Sequence, residues 1–244
     1  MLGSAMNIAC ANIMLNTAVA ESLRQFADEL EQADDLAAAS ALLIKREITA
    51  HKRILFNGNG YDESWVTEAE ARGLSNLRST PEALPHYTDQ KNVDLFVRHG
   101  VYTPAEMASR QEIQLEEYAK TLAIEALTMV DMIRRDILPA CVSYVHELSD
   151  TAASKQTIGV DNTTEVTLAR TLSAATADLL THVTDLENAL HCVPDTDAAG
   201  TAMYYHDAVL AVMEAARADA DKLESMVPKT RWPMPTYSDL LFYV

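Results

Sequence analysis

The chain has 244 residues, 48% of them hydrophobic, with only 7 Gly and 8 Pro. That is enough for one large domain, or a domain with an appendage, to bury its own core, and it excludes global disorder. The net charge of −17 and the sequence pI of about 4.7 disfavour nucleic acid and anionic membrane surfaces as partners, because both would repel such a surface.

Scarce Gly and Pro beside abundant Ala, Leu and Glu favour long helices over a sheet with many turns. The three cysteines, Cys10, Cys141 and Cys192, are odd in number and far apart. They suggest neither a disulfide framework nor a zinc knuckle, and a reducing, cytoplasmic setting fits them best. The apolar stretch from Met1 to Leu15 has no basic residue ahead of it, so a secretory signal is not expected. No run reaches the roughly 18 apolar residues of a membrane span. Met1-Leu2-Gly3-Ser4 leads into a helix with no capping element, as at an internal boundary.

The first helix is expected from about Asn12 to residue 32, with Val19, Leu23, Phe26 and Leu30 as its apolar face. After a break at Asp34-Asp35, a second runs from Leu36 to Leu55 with Ala41, Ile44 and Ile48 inward. Phe56 to Tyr61 is a turn, since Asn and Gly tolerate positive φ. Asp62 caps a short helix that ends at Gly73, and Thr80-Pro81-Glu82 opens another helical turn. A further short helix runs from Asp89 to His99 and stops at Gly100. Thr103-Pro104-Ala105-Glu106 is a capping box.

The helix that follows is long. Its stripe of Leu115, Tyr118, Leu122, Ala126, Met129, Ile133 and Ile137 continues past Pro139 through Cys141, Val145 and Leu148. Pro139 is therefore read as a kink in one helix on the order of 70 Å long. Two more helices carry the stripes Leu168, Leu172, Ala175, Leu179, Val183, Leu186, Leu190 and Ala202, Tyr205, Val209, Val212, Ala216, Ala220, Leu223, Val227. Joined by a link from Cys192 to Gly200, they are expected to form an antiparallel, coiled-coil-like pair. The fold class is thus an all-α, long-helix bundle. Trp232-Pro233-Met234-Pro235-Thr236-Tyr237 begins an irregular aromatic C-terminal tail, whose apolar end from Leu240 to Val244 is expected to dock on the body or on a neighbour.

Candidate chemistry is sparse. Glu47/His51, Glu82/His86 and Glu187/His191 are spaced i,i+4 and could each be half a metal site, but surface contacts or caps are the ordinary reading. Asn57-Gly58-Asn59-Gly60 lacks the strand and the Lys-Ser/Thr of a phosphate-binding loop. Lys45, Arg46, His51, Lys52 and Arg53 form a basic island that could meet an acidic partner, or simply a solvated face. The residues alone give a helical scaffold and no active site.

Several segments together resemble the C-terminal region of type III glutamine synthetases: Leu15 to Leu23, His51 to Tyr61, Ala83 to His86, Ile124 to Val130, Asp136 to Ala140 and Trp232 to Phe242. The resemblance spans nearly the whole chain, although residues 151–200 match in helical character only. It implies that residues 1–33 are the last segment of a catalytic domain and 34–244 a type III C-terminal helical domain. It also implies that the catalytic residues lie upstream, so no catalytic, cofactor-binding or metal residue is assigned here. The family joins glutamate and ammonia using ATP and magnesium or manganese, in two stacked hexameric rings. The resemblance implies the upstream catalytic part and neighbouring subunits as partners of this chain. It leaves the Val19, Leu23, Phe26, Leu30 stripe exposed or paired with another copy. The alternative is a free-standing helical interaction or regulatory protein derived from the synthetase; an independent bundle enzyme has no ligand set to support it.

Overall fold

The computed structural model describes residues 7–241, and every regular element among them is helical. The expectations for Met1 to Ser4 and for Phe242 to Val244 fall outside these residues. The chain divides into two compact units, the first ending at Glu112 and the second beginning at Ile113. Among the described residues no helix is long and apolar enough to cross a membrane.

In the first unit, α1 spans Ala9–Leu30, starting slightly before Asn12, and α2 spans Leu36–Ala50. Asp35 caps α2 by accepting from the Ala38 amide at 3.0 Å. A 3-10 turn at Lys52–Ile54 replaces the expected last turn of α2. The inward assignment of Ala41, Ile44 and Ile48 is corrected: Ile44 and Ile48 are 58% and 56% exposed, Ala41 is exposed too, and Leu43 is buried instead. Spacing marks an apolar face, but burial needs an element opposite it. Within this unit α1 meets α2 on the Leu43 side.

α3 spans Glu63–Ala71, and Asp62 accepts from the Ser64 amide at 2.8 Å. Gly73, at φ +73°, closes α3: its N–H reaches the Glu70 carbonyl, and that of Leu74 reaches the Ala69 carbonyl. α4 (Thr80–Ala83) begins with a capping box between Ser79 and Glu82 and runs into a 3-10 turn at Leu84–Thr88. α5 spans Gln90–Arg98. Leu84, Tyr87, Phe96 and Met107 make the core here. The Phe96 ring lies 6.2 Å from that of Tyr87 and 5.5 Å from that of Tyr102. α6 (Pro104–Met132) opens as expected: the Thr103 N–H donates to Glu106 Oε2 at 2.7 Å, and the Glu106 N–H to Thr103 Oγ1 at 3.3 Å.

The second unit continues α6 into α7 (Leu138–Thr157) through a π turn at Ile133–Ile137. Pro139 has no N–H to give the Arg135 carbonyl, and its ring crowds that oxygen. The π turn, in which the Leu138 N–H reaches the Ile133 carbonyl, absorbs the misfit as one widened turn. The stripe survives it, with Leu115, Leu122, Ala126, Ile133, Ile137, Cys141 and Leu148 all buried.

α8 spans Thr163–His191. Arg134 meets Glu187 at one end of the α7–α8 pair and Lys155 meets Glu165 at the other, so the two run antiparallel. α9 (Ala198–Tyr204) and α10 (Leu210–Glu224) form one path joined by a second π turn at Tyr205–Val209, and they return along α8. The connecting link is therefore residues 192–197, and Gly200 sits inside α9. A side chain at Gly200 would come within 2.7 Å of Thr196 Oγ1, which explains the glycine there. Leu172, Leu179, Val183, Leu186, Ala216 and Leu223 fill the space between the helices, whereas Leu168 is 46% exposed.

The segment after α10 is irregular to Thr236, and Trp232 is buried against the core. Residues Tyr237–Leu241 then form one more helical turn, α11, which corrects the expectation of an irregular tail there. Leu240 and Leu241 are 71% and 74% exposed, so neither is buried on the body.

Candidate functional site

The three Glu/His pairs separate into local contacts. His51 Nε2 lies 3.3 Å from Glu47 Oε2 on the exposed face of α2. Glu82 serves the capping box of α4, and His86 Nδ1 lies 3.1 Å from Asp89 Oδ2. The Glu187 carboxylate takes two hydrogen bonds from Arg134, at 3.1 and 2.6 Å, and that guanidinium holds its carboxyl below the usual range. His191 Nδ1 lies 2.6 Å from the Glu187 backbone carbonyl, and the His191 charge helps Arg134 lower the Glu187 carboxyl. Among the described residues no three His, Cys, Asp or Glu side chains converge as a metal ion requires.

The turn at Phe56–Tyr61 is built on ring packing. Phe56 stacks on Trp65 with centroids 4.0 Å apart, and the Arg72 guanidinium sits 5.5 Å from the Trp65 ring. Arg72 Nη1 also donates to the Arg53 and Leu55 carbonyls at 3.1 and 2.9 Å, which pins the entry to the turn. Positive φ plays no part, because Gly73, Gly100 and Gly159 are the glycines in that region among the described residues. Gly58 is needed for closeness instead: a Cβ there would lie 2.4 Å from Phe56 Cζ, while one at Gly60 would meet nothing within 4 Å. Gly58→Ala is expected to push the Phe56 ring off Trp65 at a cost of about 1 kcal/mol, with Gly60→Ala neutral. The Trp65 indole resonance and urea unfolding curves of both variants check this. Tyr61, at the tip, is fully exposed.

One cluster escaped the sequence reading. Glu21, its side chain 11% exposed, accepts from Arg24 at 3.0 and 2.9 Å, Gln25 at 2.8 Å and Arg98 at 2.5 Å, with His99 Nε2 at 2.8 Å. It ties α1 to α5. The Arg24 and Gln25 partners at i+3 and i+4 are visible in the sequence; Arg98 and His99 are not, because only the fold brings α5 back to α1. Arg24 first, then Gln25, with smaller help from His99 and Arg98, holds the Glu21 carboxyl far below its ordinary 4.5, against the opposing effect of burial. A depressed carboxyl stabilises the fold fully above its unfolded value and loses that contribution as pH falls. Acidification below about 4.5 is therefore expected to loosen α1 from α5. Glu21→Gln should blunt that pH dependence. Amide exchange along α1, followed from pH 7 downward, measures it.

α1 and α2 each carry a set of exposed apolar side chains. On α1, Leu15, Val19 and Leu23 are 65%, 56% and 61% exposed, while the face turned into the unit carries Thr17 and Glu21. Phe26 and Leu30 are half-buried. On α2, Leu36 and Leu42 are exposed beside Ile44 and Ile48. Arg46 of the basic island is bound by Glu29 at 3.0 and 2.8 Å, but Lys45, Lys52 and Arg53 make no side-chain ion pair among the described residues.

The second unit holds a groove of about 500 Å³. Met129, Met132, Ile133, Met213, Trp232 and Met234 line it, and Glu125 and Glu224 stand at its rim beside the Arg217–Asp221 pair. Neither Glu125 nor Glu224 has a cationic partner among the described residues. This lining of flexible thioethers and one indole adapts readily to apolar side chains.

These features define an all-helical protein whose described polar side chains form caps and ion pairs or lie exposed, without a metal-type cluster among the described residues. Residues 39–156 match the family model of the glutamine synthetase C-terminal domain. The chain is 38% identical over 212 residues to a glutamine synthetase of Butyrivibrio fibrisolvens, covering 86% of this chain and 30% of that protein. It is 30% identical to the type-3 glutamine synthetase of Dictyostelium discoideum over 99% of this chain and 34% of that one. With a glutamine synthetase of Bacteroides fragilis it shares 32% identity, over 98% of this chain and 34% of the relative. The chain belongs to the glutamine synthetase family, as a C-terminal part of the type III form. It spans about a third of the length of the curated relatives it matches.

Proposed function

We propose that this chain is the structural and oligomerisation part of a cytoplasmic glutamine synthetase, which ligates glutamate and ammonia at the expense of ATP, and that it carries none of the catalytic residues. Residues 1–33 are then the last segment of the catalytic domain, and 34–244 the type III helical domain. The observation that carries the reading is the apolar stripe of α1, Leu15, Val19 and Leu23, left exposed while a charged cluster holds the helix on its other side. A soluble surface rarely leaves such a stripe uncovered, and the upstream part of the relatives is what would cover it. The carboxylates described here are engaged in caps or ion pairs or stand apart, so they do not fit a divalent metal, and no step through metal or ATP is assigned to them.

The test is ATP-dependent glutamine formation from glutamate and ammonia with magnesium or manganese. It is run on the chain alone and on the chain mixed with the upstream two-thirds of a relative. Activity only on mixing is the expected result. Activity from the chain alone overturns the assignment of all chemistry to the upstream part. Silence in both, with a folded chain, favours a free-standing interaction protein.

A further inference from the structure

We infer that the Met-lined groove of the second unit receives the α2 helix and its following 3-10 turn from a second copy of this chain. The inference rests on the reading that the chain helps subunits assemble, and it names the surfaces.

Two unmatched surfaces complement each other in apolar character and charge. The groove is concave and apolar, and its volume falls in the range of about 300–1,000 Å³ typical of binding sites. Its unpaired rim charges, Glu125 and Glu224, are negative. The unit around it carries 20 Asp and Glu against 9 Lys and Arg, so its field favours a cationic guest. α2 offers the complement. Ile44 and Ile48, one turn apart and more than half exposed, form an apolar ridge. Lys45, Lys52 and Arg53 flank it, without acidic partners of their own, in a chain of net charge −17. An amphipathic basic helix laid in an apolar, acid-rimmed groove buries the ridge and neutralises both rims. Because every copy carries both halves, the contact is heterologous and extends to a ring or a chain of copies.

The experiment is sedimentation velocity of the 244-residue chain over a concentration series at low and high salt. Two charge-reversed variants are run beside it, one bearing Lys45→Glu with Lys52→Glu, the other Glu125→Lys with Glu224→Lys. All four side chains lack ion-pair partners among the described residues, so both variants should fold, which circular dichroism confirms. The unaltered chain is expected to self-associate, more weakly at high salt. Each variant alone should lose at least about tenfold in affinity, and an equimolar mixture should recover it, since reversed helix then meets reversed groove. Ile44→Asp with Ile48→Asp should abolish association whatever it is mixed with. A chain that stays monomeric at all concentrations, or variants that associate as the parent does, overturn the proposal. So does a mixture that fails to recover. Association unmoved by both reversals strikes these surfaces and leaves the assembly role standing, whereas failure of the glutamine-forming mixture strikes that role and leaves this contact intact.

Discussion

Leu179→Ala is expected to destabilise the second unit by about 3–4 kcal/mol. Leu179 lies fully buried on α8, in the layer shared with Cys141, Leu172, Val183 and Ala216. Truncation removes the transfer free energy of the lost atoms and leaves a void that three long helices cannot close, because each is held in register by its neighbours. Domains of this size have about 5–15 kcal/mol in total, so the loss is a large share. The melting temperature should drop by on the order of 10 °C. Leu180 is the control. It is next in sequence but 45% exposed, on the outer side of the helix, and Leu180→Ala should change stability by less than about 1 kcal/mol. Urea unfolding of both variants, followed by circular dichroism, decides the matter. Equal effects would mean that α8 is not the central helix.

Trp232→Ala should cost about 3–5 kcal/mol, although the residue lies outside every regular helix. Its amide and that of Arg231 both donate to the Pro228 carbonyl, at 3.0 and 2.8 Å, forming a tight turn that delivers the indole to the core. There it packs, 8% exposed, beside Val227 and Leu223. Arg231 adds an ion pair to Glu147 of α7, and Lys229 one to Asp239 within α11. The tail is thus seated by one large side chain with charged contacts on either side, and loss of the anchor should free it. Trp232→Phe, which keeps an aromatic filler, should cost less than half as much. The check compares urea midpoints with the protease sensitivity of the segment after Val227. An anchor that matters should expose that segment in the alanine variant and not in the phenylalanine one.

Much of the helical framework was legible in the residues. Asp62, Gly73, Gly100 and the Thr103–Glu106 box mark helix ends because capping is local: a side chain or a positive φ satisfies backbone groups a few residues away. The stripes from Leu115 to Leu148 and from Leu172 to Leu186 were legible for a related reason. Long helices buried on one face must repeat apolar residues at three and four, and the partners here are other helices of the same unit. The family, too, was readable from short segments taken in order.

What only the tertiary structure decided begins where a face needs a partner. The sequence marks Ile44 and Ile48, or Val19 and Leu23, as apolar, but nothing in their spacing says whether this chain supplies the surface to cover them. Among the described residues both faces stay exposed, and α1 is held instead by Glu21 reaching Arg98 and His99, residues far along the chain. The π turns were equally hidden. One extra residue in a turn leaves spacings of four that a plain helix also shows. Pro139 hints at the first, and nothing local marks the second, at Tyr205–Val209. The groove lined by Met129, Met213 and Trp232 draws its walls from α6, α10 and the returning tail, a matter of packing between distant segments. Periodicity determines which residues seek burial. The arrangement of elements in space decides which of them find it, and which are left for another chain.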